Sequence, residues 1–220
     1  MIMPPHLFVT GTDTEVGKTR ISVALIKAFI AQGEKVLAMK PIASGCQQTL
    51  NGWQNPDAIA LMQAASVTVD YDRVNPFAFP PAIAPHIAAQ QSGVDITLPP
   101  IQQGFAALCQ QADRVIVEGA GGWFVPLNRQ QTLADLAQAL AIPVVLVVAI
   151  RLGCINHALL TVEAIVRRGL PLYGWVANCM APCDVSAEVI ASLTERIDAP
   201  CLGVVPMLAT NEDVTSLTVY

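Results

Sequence analysis

The run GTDTEVGKT, residues 11–19, ends in Gly17-Lys18-Thr19 directly before a helical stretch. Those residue types in that order suit a triphosphate. Successive backbone N–H groups and the start of the following helix point at phosphate oxygens. Lys18 can reach the β- and γ-phosphates, and Thr19 can offer its hydroxyl to Mg²⁺. The spacing is a variant: Thr12 stands where a phosphate-binding loop usually has its first glycine, and Gly11 lies one place earlier. Glu118 closes the apolar run RVIVE and directly precedes Gly119-Ala120-Gly121-Gly122. A carboxylate at a buried strand end is costly unless a metal or a donor satisfies it, and Mg²⁺ takes one or two carboxylates among its oxygens. Asp57, in NPDA, has two readings: a helix-start acid favoured by the dipole, or a second metal ligand. Lys40 ends the run VLAMK and opens KPIASG, residues 40–45. Read as functional, it brings a second ammonium to the phosphate for charge stabilisation during transfer. Read otherwise, it is a surface lysine at a strand end. Pro41 and Gly45 frame it in a shaped loop with Ser44.

Alternating strands and helices must position these groups. Apolar strand runs fall at 6–10, 36–40, 114–118, 143–149, 173–178 and 201–206. Between Lys18 and about Gln32, Ile21, Ala24, Leu25, Ala28 and Phe29 recur at helical spacing, and Gly33 ends the helix. Further helices are expected over 56–65, 102–112, 132–141, 156–168 and 185–197. Prolines crowd residues 76–100, where long regular elements are not expected. That segment stays apolar, so it reads as an excursion over the sheet. The alternation predicts one α/β domain over 1–220: a mostly parallel sheet with helices on both faces, a P-loop NTPase-like three-layer sandwich. Ligands in such sheets bind beyond the carboxyl ends of the strands, where Lys40, Glu118 and Asn178 fall.

Bulk composition narrows the function. Hydrophobic residues make up 53% and charged residues 13%, which excludes disorder. Twelve Lys and Arg against 17 Asp and Glu leave a net charge of −5, so no nucleic-acid partner is expected. The longest apolar run, residues 142–150, is too short to span a membrane. The first residues, MIMPPH, do not open a secretory signal, so the expected location is cytoplasmic. The six cysteines lack zinc spacing and read as reduced thiols. The three histidines and three tryptophans are too scattered to define a site.

GTDTEVGKT, KPIASG, NPDA, VNPFAF with a later PHIAA, VEGAGGW, LGCINHALLT and GWVAN occur in that order. With them the chain closely resembles dethiobiotin synthetase, over about residues 6–208. The resemblance implies an ATP- and Mg²⁺-dependent ring closure of 7,8-diaminononanoate with CO2, through a carbamate and a carbamic–phosphoric anhydride. It implies catalytic roles for Lys18 and Lys40, with Thr14 and Ser44 on the carbamate. It implies that Glu15, Val16, Gly17, Lys18, Thr19, Arg20, Asp57, Glu118, Gly119, Ala120 and Gly121 bind ATP. Asn178 and Cys179 match the adenine-reading position, and Pro206, Met207 and Leu208 match the loop covering the base. Thr19, Asp57 and Glu118 would organise the metal. It further implies a homodimer in which Gly153, Cys154, Ile155 and Asn156 bind the substrate carboxylate from the other subunit. Cys179-Met180 is less polar than the family pattern, and the C-terminus, NEDVTSLTVY, is shorter. A partition-type ATP switch shares the fold, but residues 12–16 lack the extra lysine such switches carry. A cofactor-acid synthetase of the same superfamily would usually need a further domain.

Overall fold

Strand residues of alternating parity face opposite sides of a sheet, and here both parities are apolar, so both faces must be covered. In a computed structural model, which describes residues 6–207, β1 (His6–Gly11) leads through the phosphate-binding loop into α1 (Lys18–Ala31). The edge strand β2 (Val36–Met39) follows, then β3 (Ile42–Ser44) and the hairpin β4 (Gln47–Thr49) and β5 (Gly52–Gln54). Next come α2 (Pro56–Ala64), α3 (Tyr71–Val74), β6 (Phe77–Phe79), α4 (Pro85–Gln91) and α5 (Leu98–Cys109). The chain then builds β7 (Arg114–Gly122), α6 (Leu133–Leu140), β8 (Val144–Ala149), α7 (Cys154–Arg167), β9 (Leu172–Asn178), α8 (Ser186–Arg196) and β10 (Cys201–Val205).

Six parallel strands form the main sheet in the order β10-β9-β8-β1-β7-β2. Val145 and Val147 of β8 pack with Ile21, Leu25 and Phe29 of α1 and Leu61 of α2. Val144 faces the opposite layer, with Phe105 of α5 and Leu136 of α6. Leu146 and Val148 face Ala158 of α7 and Leu193 of α8. This is the expected three-layer arrangement.

Several helix boundaries differ from the sequence reading. α5 begins at Leu98, not near residue 102, because Pro99 and Pro100 fit the first helical turn, where no N–H is required. α7 begins at Cys154 behind Gly153, two residues before Asn156. β7 continues past Glu118 to Gly122, where its pairing with β1 slips between Val9 and Gly11. Up to Leu98, where the longer α5 begins against expectation, the proline-rich segment holds only the short elements β6 and α4, and its Phe79, Ala88 and Ile96 pack into the core, as an excursion over the sheet should. All six cysteines are free. No helix of the described residues is long and apolar enough to cross a membrane.

Candidate functional site

The parallel register brings the strand ends to one edge. Met39 pairs with Val117 and Val9 with Glu118, so Lys40, Glu118 and the start of the loop at Gly11 lie side by side. Gly17 is the N-cap of α1, and no side chain caps that helix. Its first-turn N–H groups are therefore left for an anion. Gly17 has φ 90°, and a Cβ there would lie 2.1 Å from Asn178 Nδ2. Only glycine fits both the left-handed backbone and that approach. The contact is structural as well: Asn178 Nδ2 donates to Val16 O at 2.9 Å, so the end of β9 props the loop. Asn178 is fully buried, and its Oδ1 has no hydrogen-bond partner.

Two lysines converge on the crevice. Lys18 is 7% exposed and donates to Asp13 O at 2.9 Å. Burial pushes its ammonium down to about 8, helped by the charge of Lys40, while Glu118, Asp57 and Asp13 pull the other way. Lys40 is 4% exposed, which removes the surface-lysine reading. It donates to Glu118 Oε1 at 2.5 Å and to Asp57 Oδ2 and Gly119 O at 3.3 Å each. Burial alone would lower its pKa, but Glu118 and Asp57 outweigh that and raise it.

Glu118 is the hub of the cluster. Its side chain is fully buried, and Oε1 accepts from both Lys40 and Thr19 Oγ1, the latter at 2.8 Å. Its Oε2 is buried with no partner. Among the described residues no group of three or more His, Cys, Asp or Glu could cage a metal. An orphaned carboxylate oxygen beside a threonine hydroxyl instead fits Mg²⁺, which keeps waters and takes substrate phosphates. Asp57 sits in the first turn of α2, its side chain 48% exposed. Asn55 caps that helix by accepting from the N–H groups of Asp57 and Ala58. Asp57 thus lies at a helix start, as its first reading has it, and its carboxylate also faces Lys40.

The other expected residues distribute around this centre. Thr14 and Glu15 are exposed on the loop, Glu15 with φ 56°, and Arg20 follows on α1. Ser44 ends β3, and its buried hydroxyl has no partner. Gly119, Ala120 and Gly121 continue β7 beyond Glu118. Cys179 donates its N–H to Val205 O at 2.8 Å, holding β9 to β10 below the exposed Pro206 and Met207. Leu208 lies outside the described residues. Gly153 and Asn156 are exposed at the start of α7, Ile155 is half-buried and Cys154 is buried. Sequence reasoning missed Asn55, a buried side chain, and the exposed ion pair of Arg151 with Asp13 at 2.8 Å, which ties the α7 entry to the phosphate loop. NPDA did carry the signal for Asn55, since Asn before Pro is a helix-start pattern.

A Gly-Lys-Thr loop at a helix start, backed by strand-end carboxylate and lysine on a parallel sheet, defines a P-loop nucleotide-binding protein. Solved structures agree on the fold. The MinC:MinD cell division protein complex of Aquifex aeolicus superposes with TM-score 0.58 at 14% identity, covering 93% of this chain and 82% of that one. The signal recognition particle receptor FtsY of Elizabethkingia anophelis, in complex with GDP, gives 0.56 at 15% identity, covering 100% of this chain and 61% of that one. A family model described as an AAA domain matches residues 5–215. ATP-dependent dethiobiotin synthetase BioD of Pseudomonas aeruginosa (strain UCBPP-PA14) is 52% identical over 206 residues, 93% of this chain and 90% of the relative. Its counterpart of the same name from Cellvibrio japonicus (strain Ueda107) is 54% identical over 203 residues, 92% of this chain and 89% of the relative. The chain belongs to the ATP-dependent dethiobiotin synthetase family.

Proposed function

We propose that this protein is an ATP-dependent dethiobiotin synthase, a ligase that closes 7,8-diaminononanoate and CO2 into a cyclic urea with release of ADP and phosphate. The meeting of buried Lys40, Glu118 and Thr19 beside the phosphate loop, with Lys18 close enough for the Lys40 charge to lower its pKa, carries the reading. One amine adds to CO2 and loses a proton, giving a carbamate. A carbamate oxygen attacks the γ-phosphorus, and the bond from that phosphorus to ADP breaks. The second amine attacks the carbonyl carbon of the mixed anhydride, loses its proton, and phosphate leaves.

The residues divide this work between two sides. On the nucleotide side, the α1 N-terminus and Lys18 hold the phosphates, with Val16, Gly17, Thr19 and Arg20 shaping the loop and Glu15 beside it. Asn178 offers Oδ1 to the base, and Pro206 and Met207 lie next to it in the chain's return from β10. On the acceptor side, Lys40 holds carbamate and transferring phosphoryl together, where a fixed charge acts without reorganisation. Ser44 and Thr14 hydrogen-bond the carbamate. Thr19, Glu118 and Asp57 would hold Mg²⁺, which when bound neutralises charge on the phosphates. The same reading makes the protein a cytoplasmic homodimer. Gly153 to Asn156 of one subunit would receive the substrate carboxylate of the other at a helix N-terminus.

The test is product mass and ADP release with Mg²⁺, ATP, bicarbonate and diaminononanoate, each omitted in turn. ADP formed only with both diamine and CO2, and a product gaining CO2 minus water, is the expected result. ADP formed without the diamine would overturn the reading in favour of a nucleotide switch.

A further inference from the structure

Three side chains that no step above uses form one hydrogen-bonded chain beneath the acceptor side. Asn75 is 2% exposed and Asn55 5%, and amides buried so deeply must find partners. Asn75 Nδ2 donates to Lys40 O at 2.6 Å, and Lys40 N–H donates to Val74 O at 2.8 Å. Both backbone groups of Lys40 are thus tied to the α3 turn. The Tyr71 hydroxyl donates to Asn75 Oδ1 and accepts from Asn55 N–H, each at 2.7 Å. Asn55 then reaches two ways. Its Nδ2 donates to Ser44 O at 3.1 Å, and its Oδ1 accepts the N–H groups of Asp57 and Ala58 at 3.0 and 3.3 Å.

The order of donors has a single solution. A backbone N–H only donates, so the Tyr71 hydroxyl accepts from Asn55 and sends its one proton to Asn75 Oδ1. Asn75 Nδ2 is thereby turned to the Lys40 carbonyl, which only accepts. Burial pushes the Tyr71 hydroxyl above its ordinary value, against the pull of the Asn55 N–H, so it keeps its proton. The chain also does what the sheet cannot. β2 is an edge strand whose pairing with β7 stops at Met39, one residue short of Lys40. Lys40, Ser44 and Asp57 lie on three different elements or their ends, and this one chain holds all three.

We propose that Tyr71 and Asn75 are positioning residues for the ring-closing reaction: Asn75 holds Lys40 directly and Tyr71 reaches Ser44 and Asp57 through Asn55, so that the three keep one fixed arrangement. The inference rests on the acceptor-side roles proposed above. Chemistry of this kind is sensitive to placement: a shift of about 1 Å can cost on the order of 10²-fold.

The test compares Tyr71→Phe, Asn75→Asp, Ser66→Ala and Lys40→Met, each assayed where circular dichroism shows it folded. Tyr71→Phe removes one oxygen, and kcat is expected to fall about 10- to 10²-fold, with KM for ATP within about twofold. Asn75→Asp, which sets an acceptor against the Lys40 carbonyl, is the second variant and should lose turnover in the same way. Ser66→Ala is the control: Ser66 Oγ bonds both the N–H and the carbonyl of Val36, at the far end of β2 from the site. It should lower the unfolding temperature and leave kcat unchanged. Unchanged kcat in both Tyr71→Phe and Asn75→Asp would overturn the inference. So would losses of kcat that simply track unfolding temperature across Tyr71→Phe, Asn75→Asp and Ser66→Ala. Lys40→Met separates the two levels: if it keeps full turnover, the acceptor-side reading itself fails. If it loses turnover while Tyr71→Phe and Asn75→Asp do not, only the positioning inference fails.

Discussion

Replacing Lys40 by Met keeps the side chain's length and removes its charge. In the native protein the Lys40 side chain is 5% exposed against Glu118 at 0%, with 2.5 Å between the charged atoms. Asp57, its second partner, is about half exposed and 3.3 Å away, so it contributes little. The variant leaves the Glu118 carboxylate buried with one remaining donor, Thr19 Oγ1. Removing one partner of a buried ion pair costs about 3–5 kcal/mol. At about 2–4 °C per kcal/mol for a domain of this size, the unfolding temperature falls by roughly 6–20 °C. Adding Glu118→Gln removes the stranded charge, so the double variant should be more stable than Lys40→Met alone. Turnover behaves differently. It falls by about 10²–10³ in Lys40→Met and does not recover in the double variant, because the charge on the transferred group is still missing. Thermal unfolding of the two single variants and the double, beside ADP release, reads both effects. Strictly additive unfolding shifts would refute the energetic coupling of the pair. Near-wild-type turnover in folded Lys40→Met would refute the role in transfer.

Gly17→Ala should abolish detectable ATP binding by calorimetry while the protein stays folded, since a Cβ would meet Asn178 Nδ2 at 2.1 Å. Binding at wild-type affinity would show that the loop can shift at no cost. Asn156→Ala should raise KM for the diamine with KM for ATP unchanged. A mixed dimer of this variant with Lys40→Met should regain one working site, and no regain would count against the cross-subunit reading. Asp135 gives the pH prediction. Burial would raise its pKa, but hydrogen bonds from Thr132 and Arg168 and the charge of Arg168 hold it below its ordinary 3.8. A carboxyl with a depressed folded pKa stabilises above its unfolded value and loses that contribution as pH falls through the folded one. Asp135→Asn should therefore cost about 1 kcal/mol at neutral pH through its weakened hydrogen bonds, and its urea midpoint should converge with wild type in acid. A gap that persists unchanged below the carboxylate range would sink the assignment.

Much of this molecule is legible without coordinates, for local reasons. Runs such as HLFVT, RVIVE and YGWVAN are apolar on both parities, and they become β1, β7 and β9 within a few residues of the expected bounds. Gly17-Lys18-Thr19 declares its own geometry because strand, left-handed glycine and helix start are consecutive in the chain. The segment from Pro41 to Val94 is less legible, α2 apart. Its β3–β6 pairing joins residues 42–44 to 77–79, and the α3 turn has only four residues, so no periodic signal marks either.

The class of the sheet, the phosphate loop and the family can be read from residue order alone, because they rest on patterns among neighbours and on motifs in a fixed order. Which charges meet depends on the folded path of the chain. Lys40 and Glu118 are 78 residues apart and become partners because β2 and β7 lie side by side in parallel register. That contact turns a lysine with two possible readings into a buried, paired ammonium. It also leaves one oxygen of Glu118 unpaired beside the phosphate loop. The chain from Asn55 through Tyr71 to Asn75 has no motif, because it joins one side-chain pair to backbone groups of distant residues. Such bonds depend on the folded path of the chain, and a linear pattern of residue types does not encode that path locally.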